Sequence, residues 1–276
     1  MRIIPSELIT EKVAEAATRA NLELPADILQ ALKTAHTQET EERARVVLGF
    51  LLENAEVARQ EGLALCQDTG LAVVHCTIGL SVQVEGDLTE AINEGIRRAY
   101  LDNHFRTSVV RDPILRGNTG DNTPCILHTE LVPGDGFELT VFPKGAGSEN
   151  MGRIGMLKPG AGKEGVIDFV VQAVSDAGSN PCPPLVIGVG IGGNMEYAAY
   201  LAKKAMMRPI GQSGPNSDLE AEILARVNET GIGPQGLGGR TTALGVCVET
   251  FPTHIASLPV AVNLGCHATR RCRVSL

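Results

Sequence analysis

The chain contains no tryptophan and only 3% aromatic residues, yet at 43% hydrophobic and 20% charged it keeps an ordinary globular composition. It has no excess of positive charge. Its formal net charge of −8 makes nucleic acid an unsuitable partner, and any anionic ligand must find its cations concentrated at one site. No apolar run approaches the roughly 18–20 residues that cross a bilayer. The opening Met1-Arg2-Ile3-Ile4-Pro5-Ser6-Glu7 lacks the apolar core of a signal peptide. There is no Cys-x-x-Cys pair, which argues against a zinc knuckle or a thioredoxin-like dithiol. Repeats, low-complexity tracts and a convincing linker are also missing. An odd number of cysteines without an export signal favours a reducing compartment, so a cytoplasmic location and no membrane partner are expected.

What the chain does have is seven cysteines and 31 glycines. Cys76, Cys125 and Cys247 lie in apolar, β-prone runs and read as small buried hydrophobes. Cys272, between Arg271 and Arg273, is ambiguous. The other three stand in turn-forming settings: Leu65-Cys66-Gln67-Asp68-Thr69-Gly70, Asn180-Pro181-Cys182-Pro183-Pro184 and Asn263-Leu264-Gly265-Cys266-His267. Loop settings let backbone N–H groups point at sulfur. Three converging thiolates without a fourth describe an iron–sulfur cluster with one open iron, a Lewis acid suited to elimination or hydration.

The pattern of elements predicts a mixed α/β fold, with an N-terminal helical segment followed by β-sheets flanked by helices. Residues 9–62 read as helices, including one long helix over 37–60, and could form a helical cap on a single domain spanning 1–276. A strand is expected over 71–78, a helix over 88–100, and a hairpin from 125–131 and 137–142 joined by Pro133-Gly134-Asp135-Gly136. Helices over 163–177, 195–206 and 217–230 alternate with strands over 185–189, 241–249 and 259–262.

Several motifs have competing explanations. Gly188-Val189-Gly190-Ile191-Gly192-Gly193 satisfies G-x-G-x-x-G between a strand and a helix, with Gly190–Asn194 read as the turn. A nicotinamide-dependent oxidoreductase would need an acidic residue about 20 positions on, and Met207-Arg208-Pro209-Ile210-Gly211 offers none. Lys144-Gly145-Ala146-Gly147-Ser148-Glu149-Asn150 lacks the order of a P-loop; it could cradle a carboxylate through its backbone or simply leave a hairpin. Asp68 could act as acid or base, or cap its own turn. His254 could relay a proton or be structural. Arg106, Arg270 and Arg271 could clamp carboxylates bidentately, though Arg271 reads more readily as a solvated surface charge.

Taken in order, Cys66-Gln-Asp-Thr-Gly70, Asn118-Thr-Gly-Asp-Asn122, the Lys144–Asn150 loop, Asn180-Pro-Cys-Pro-Pro184, the Gly188–Gly193 run and Asn263-Leu-Gly-Cys-His267 resemble class I, iron–sulfur-dependent fumarate hydratases. The resemblance covers almost the whole chain and is to their N-terminal part, a separate α subunit in two-subunit forms. It implies a [4Fe–4S] cluster held by Cys66, Cys182 and Cys266. It also implies a substrate surrounded by Gln67, Asp68, Arg106, the Gly147 region and His254, with Asp68 and His254 in the chemistry. The activity implied is a hydro-lyase of the tricarboxylic acid cycle that interconverts (S)-malate and fumarate. L-tartrate dehydratase, whose α subunit is similar, is the alternative, although the Lys144–Asn150 loop is closer to the fumarase version. The family's second half, with further substrate-binding cations and a catalytic threonine, has no counterpart in this sequence. A β subunit in a hetero-oligomer is therefore expected to supply it.

Overall fold

A computed structural model describes residues 2–276 and shows the expected mixed α/β fold. In chain order the elements are β1 (Arg2–Pro5), α1 (Ser6–Leu22), α2 (Ala26–Gln38), α3 (Glu42–Glu61), β2 (Leu71–Gly79), β3 (Val82–Glu85), α4 (Leu88–Asp102), β4 (Ile126–Val132) and β5 (Phe137–Lys144). They continue with α5 (Ala146–Glu149), β6 (Arg153–Leu157), α6 (Gly162–Ala177), β7 (Leu185–Gly193), α7 (Met195–Ala205), α8 (Ser217–Asn228), β8 (Ala243–Thr253), β9 (Leu258–Gly265) and β10 (Cys272–Ser275). The chain forms two compact units. The first comprises Met1–Pro25, Ala55–Ala146 and Arg270–Leu276; the second comprises Ala26–Asn54 and Gly147–Thr269. Among the described residues, no helix is long and apolar enough to cross a membrane.

In the first unit a four-stranded sheet has the order β10-β5-β2-β4. Strand β2 is apolar and buried along most of its length, so it takes a central place. It pairs parallel with β4 and antiparallel with β5. The expected hairpin between β4 and β5 therefore does not form. Both strands flank β2, and the Pro133–Gly136 turn wraps its end, where Gly79 donates to the Gly136 carbonyl (2.7 Å) and Ser81 to that of Gly134 (2.9 Å). Alternation reveals a strand but not its neighbour. Helices α1 and α4 cover the sheet, burying Ile9, Val13, Ile92, Ile96 and Tyr100 with Val74, Cys76, Leu139 and Val141. A separate pair joins β1 in parallel with β3.

In the second unit the sheet order is β6-β9-β7-β8. Strand β7 runs parallel to β8 and antiparallel to β9. Its side chains alternate: Leu185, Ile187 and Val189 join the core built from α6 and α8. Gly188 and Gly190 face α7 instead. A Cβ on Gly188 would stand 2.1 Å from the Ala202 carbonyl oxygen, and one on Gly190 2.1 Å from that of Ala198. The glycine run thus lies inside a strand that continues to Gly193, and its missing side chains let a helix backbone lie against the sheet. It is not a turn cradling a phosphate. The long helix expected over 37–60 is likewise interrupted. The buried Glu39 carboxylate accepts from the N–H groups of Thr40 (2.9 Å) and Glu41 (3.0 Å) and, with its second oxygen, from that of Arg240 (2.9 Å). These bonds satisfy backbone donors of the turn that separates α2 from α3 and of the Arg240 segment.

Candidate active site

The first unit sets the Leu65–Gly70 loop ahead of β2 with a dense set of bonds. Cys66 Sγ accepts the Asp68 N–H (3.4 Å). Asp68 Oδ1 accepts from the Gly70 N–H (3.1 Å), and Oδ2 from the Ala146 N–H (2.8 Å) at the start of α5. The carboxylate therefore caps its turn and also ties the loop to the glycine segment after β5. Arg270 donates through Nη2 to the Asp68 carbonyl (2.6 Å) and through Nε to Asn21 Oδ1 (3.2 Å). Only 2% of Arg270 is exposed, so it is no clamp for a diffusing carboxylate but the cation that shapes the loop. Arg271 is half-buried rather than a solvated surface charge.

Tyr100 donates its hydroxyl to the Thr69 carbonyl (2.5 Å), and burial pushes its pKa up to about 12, which keeps it a donor. Thr69 Oγ1 donates to the Arg106 carbonyl (2.6 Å). Asn122 donates to the Gly70 carbonyl (3.0 Å) and accepts from the N–H groups of Ser108 (2.7 Å) and Val109 (3.3 Å). Gln67 and Arg106 are exposed, so their side chains are accessible while the backbone beneath Arg106 is fixed. Lys144 is buried and donates to the Gly145 carbonyl (3.2 Å).

The second unit brings Cys182 and Cys266 to adjoining loops. Cys182 adopts a left-handed conformation (φ 54°) and donates its N–H to the Ser179 carbonyl (3.0 Å). The N–H of His267 donates to the Cys182 carbonyl (3.3 Å), so the residue after Cys266 is bonded to Cys182 itself. Gln235 reinforces this junction: its N–H and its Nε2 both donate to the Pro183 carbonyl at 2.8 Å, and Nε2 lies 3.2 Å from His267 Nδ1. Thr269 Oγ1 donates to the Cys266 carbonyl (2.8 Å). His254 sits in the exposed turn after β8, where Nδ1 accepts from the Ala256 N–H (3.2 Å). It lines an open depression with Gly193, Asn194, Tyr197 and Phe251, at the carboxyl ends of β7 and β8 and the start of α7. Gly147 follows Ala146 in α5 and is exposed.

The cysteines divide as their sequence settings imply. Cys76, Cys125, Cys247 and Cys272 are buried, Cys66 and Cys266 are partly exposed, and Cys182 is exposed. Among the described residues no disulfide joins any of them. Burial pushes the thiols of Cys76 and Cys125 up to about 12 and about 11, and that of Cys272 upward too, so these remain poor thiolate donors. The accessible soft donors are thus the three loop cysteines, whose chemistry fits an iron–sulfur cluster. Among the described residues no group of three or more His, Cys, Asp or Glu side chains is gathered to hold a metal ion. Nothing in the sequence assigns a role to the side chains of Tyr100, Asn122 or Gln235. Asn122 lies in the quoted Asn118–Asn122 segment, and Gln235 in the glycine-rich stretch 231–239, whose density of turns was the available signal.

Comparison of the sequence with known proteins places the chain in a class, the hydro-lyases. The family described as Fumarate hydratase (Fumerase) matches residues 10–275, and the chain belongs to it. It is 40% identical over 273 residues to the putative L(+)-tartrate dehydratase subunit alpha of Methanocaldococcus jannaschii, covering 95% of each chain. It is 33% identical over 269 residues to the L(+)-tartrate dehydratase subunits alpha of Escherichia coli K12 and Shigella sonnei, covering 95% of this chain and 89% of theirs.

Proposed function

We propose that residues 1–276 form the α-type catalytic domain of a [4Fe–4S] hydro-lyase that reversibly dehydrates (S)-malate to fumarate. One observation carries this reading: the three cysteines in family-type loops are the three that are not buried, and one of them shares its loop with a carboxylate whose two oxygens are both held by backbone N–H groups. Cys66, Cys182 and Cys266 would hold the cluster, which when bound supplies a Lewis acid for the leaving hydroxyl. Gln67, Arg106 and the backbone around Gly147 bind the substrate carboxylates, Arg106 through its planar fork. Asp68 is oriented to accept a proton or steer the group that does, and His254 would relay protons from the far end of β7, opposite Cys182 and Cys266. The C–O bond breaks as the proton leaves the adjacent carbon, the C–H electrons form the double bond, and hydroxide plus proton depart as water.

A β subunit completes the site in a cytoplasmic hetero-oligomer, consistent with relatives that are themselves named alpha subunits. Those names also favour a second reading, dehydration of L(+)-tartrate. Elimination from tartrate leaves an enol that becomes a 2-oxo acid, so product chemistry separates the two. The chain and its β-type partner, purified together without oxygen, should be assayed with (S)-malate, fumarate and L(+)-tartrate. Fumarate formation from malate supports the first reading, and a 2-oxo acid from tartrate alone supports the second. Turnover of neither substrate by a cluster-loaded complex would refute both.

A further inference from the structure

Lys203, on α7, has a side chain only 14% exposed and makes an ion pair with Glu149. Burial pushes its pKa down, and Glu149 opposes that shift. The same ammonium donates to Asn263 Oδ1 (3.3 Å), and Asn263 Nδ2 donates to Glu149 Oε2 (3.0 Å). The three side chains close a triangle. Each corner belongs to a different part of the second unit: Glu149 ends α5 in the glycine segment, Lys203 lies in the last turn of α7, and Asn263 is on β9 three positions before Cys266. The approach between segment and strand is close. A Cβ on Gly152 would lie 3.2 Å from the Glu149 carbonyl oxygen and 3.3 Å from that of Val262.

A charge this sheltered costs desolvation and persists only where its partners are well placed. Nothing in the proposed chemistry uses Lys203 directly, and a solvated surface lysine would not occupy this position. We infer that Lys203 is a positioning residue: through Glu149 and Asn263 it fixes the 147–150 segment against β9, the strand that leads into Cys266, setting the backbone that receives a substrate carboxylate. This inference rests on the reading that the Gly147 region binds substrate.

The test uses the complete α–β complex with Lys203→Met, Glu149→Gln and the double variant. Positioning predicts that Lys203→Met raises KM about tenfold or more, the loss of a charge-assisted hydrogen bond, while kcat changes far less. Iron and sulfide per chain should stay unchanged, and the double variant should be no worse than Lys203→Met alone, because both act through one triangle. Hydrogen exchange of the amides of residues 147–152 should speed up in each variant. Unchanged KM and unchanged exchange would overturn the inference. So would loss of iron, with kcat and thermal stability falling together, since that describes a general structural role. If wild-type complex turns over neither malate nor tartrate, the proposed function fails, and the exchange measurement alone decides the anchor.

Discussion

Adding one methyl group to the glycine run separates a packing role from a ligand-binding role. In Gly188→Ala the new Cβ would lie 2.1 Å from the Ala202 carbonyl oxygen and 2.4 Å from Met206 Cγ. In Gly190→Ala it would lie 2.1 Å from the Ala198 carbonyl oxygen, 2.5 Å from the Ala202 nitrogen and 2.8 Å from Leu201 Cβ. Met206 can swing aside, but the other contacts are mostly backbone of α7, which has to retreat as a body. Ordinary contact begins near 3.4 Å, so the retreat is roughly 1 Å or more. It would part the helix from Ala261 and loosen the pocket around Ala198 and Ala202, all three buried. Overpacking in a close-packed interior costs about 1–3 kcal/mol, and a clash with backbone belongs at the upper end. Each variant should therefore lose about 3 kcal/mol, a fall in Tm of roughly 6–12 °C for a protein of this size. Thermal unfolding followed by circular dichroism measures this directly. Gly147→Ala is the control: a Cβ there meets nothing within 4 Å, so its Tm should hold while its KM rises. If Gly188→Ala and Gly190→Ala unfold with wild type but abolish binding of NADH, the packing argument is wrong and the glycines serve a nucleotide.

Arg106→Lys should lower kcat/KM by roughly one to two powers of ten at unchanged iron content, because a point charge cannot replace a bidentate fork worth about 1.5–3 kcal/mol. Arg270→Met should destabilise the chain by about 3 kcal/mol, since it strips the bonds to Asp68 and Asn21 from a buried site, and denaturant titration would register it. Iodoacetamide at pH 8 on cluster-free chain should label Cys66, Cys182 and Cys266 and spare Cys76 and Cys125, whose folded pKa values stand well above that pH; peptide mapping with Cys76 labelled first would contradict the burial assignment. Each thiol pKa raised on folding stabilises the native state below the unfolded value, so stability should fall as pH climbs from about 9 towards about 12.

The elements legible in the sequence are those whose periodicity is local: α4, α6, α7 and α8 fall within a few residues of their expected bounds. Neighbours in a sheet are not local. Nothing in the 125–142 pattern announces that β2 lies between β4 and β5, because the partner is some fifty residues away and parallel to one of them. Strand β1 and strand β10 are short and carry mixed residues, so neither stands out. The glycine run is ambiguous for a related reason. Its glycines signal close backbone approach, and the sequence alone does not say whether a phosphate or a helix does the approaching. The three cysteine loops were legible because their turn residues are local. Their supports were not: Arg270 joins the Cys66 loop across almost the whole chain, and Tyr100 looks like any aromatic on a helix.

That last support has a consequence for the order in which the protein is made. Vectorial synthesis delivers every residue of the second unit before Arg270 and β10 emerge, since both belong to Arg270–Leu276 of the first. A nascent chain that has reached Thr269 can already close the β6-β9-β7-β8 sheet with Cys182 bonded to His267. Its first unit at that moment has β5 as an open edge, with the backbone groups that β10 will cover still bare. The Cys66 loop also lacks the guanidinium that grips its Asp68 carbonyl. During that interval the unpaired edge of β5 is a hazard for aggregation that ends when β10 docks. The segment that covers β5 also carries the guanidinium that sets the loop, so closing that edge and fixing the Cys66 loop arrive as one event.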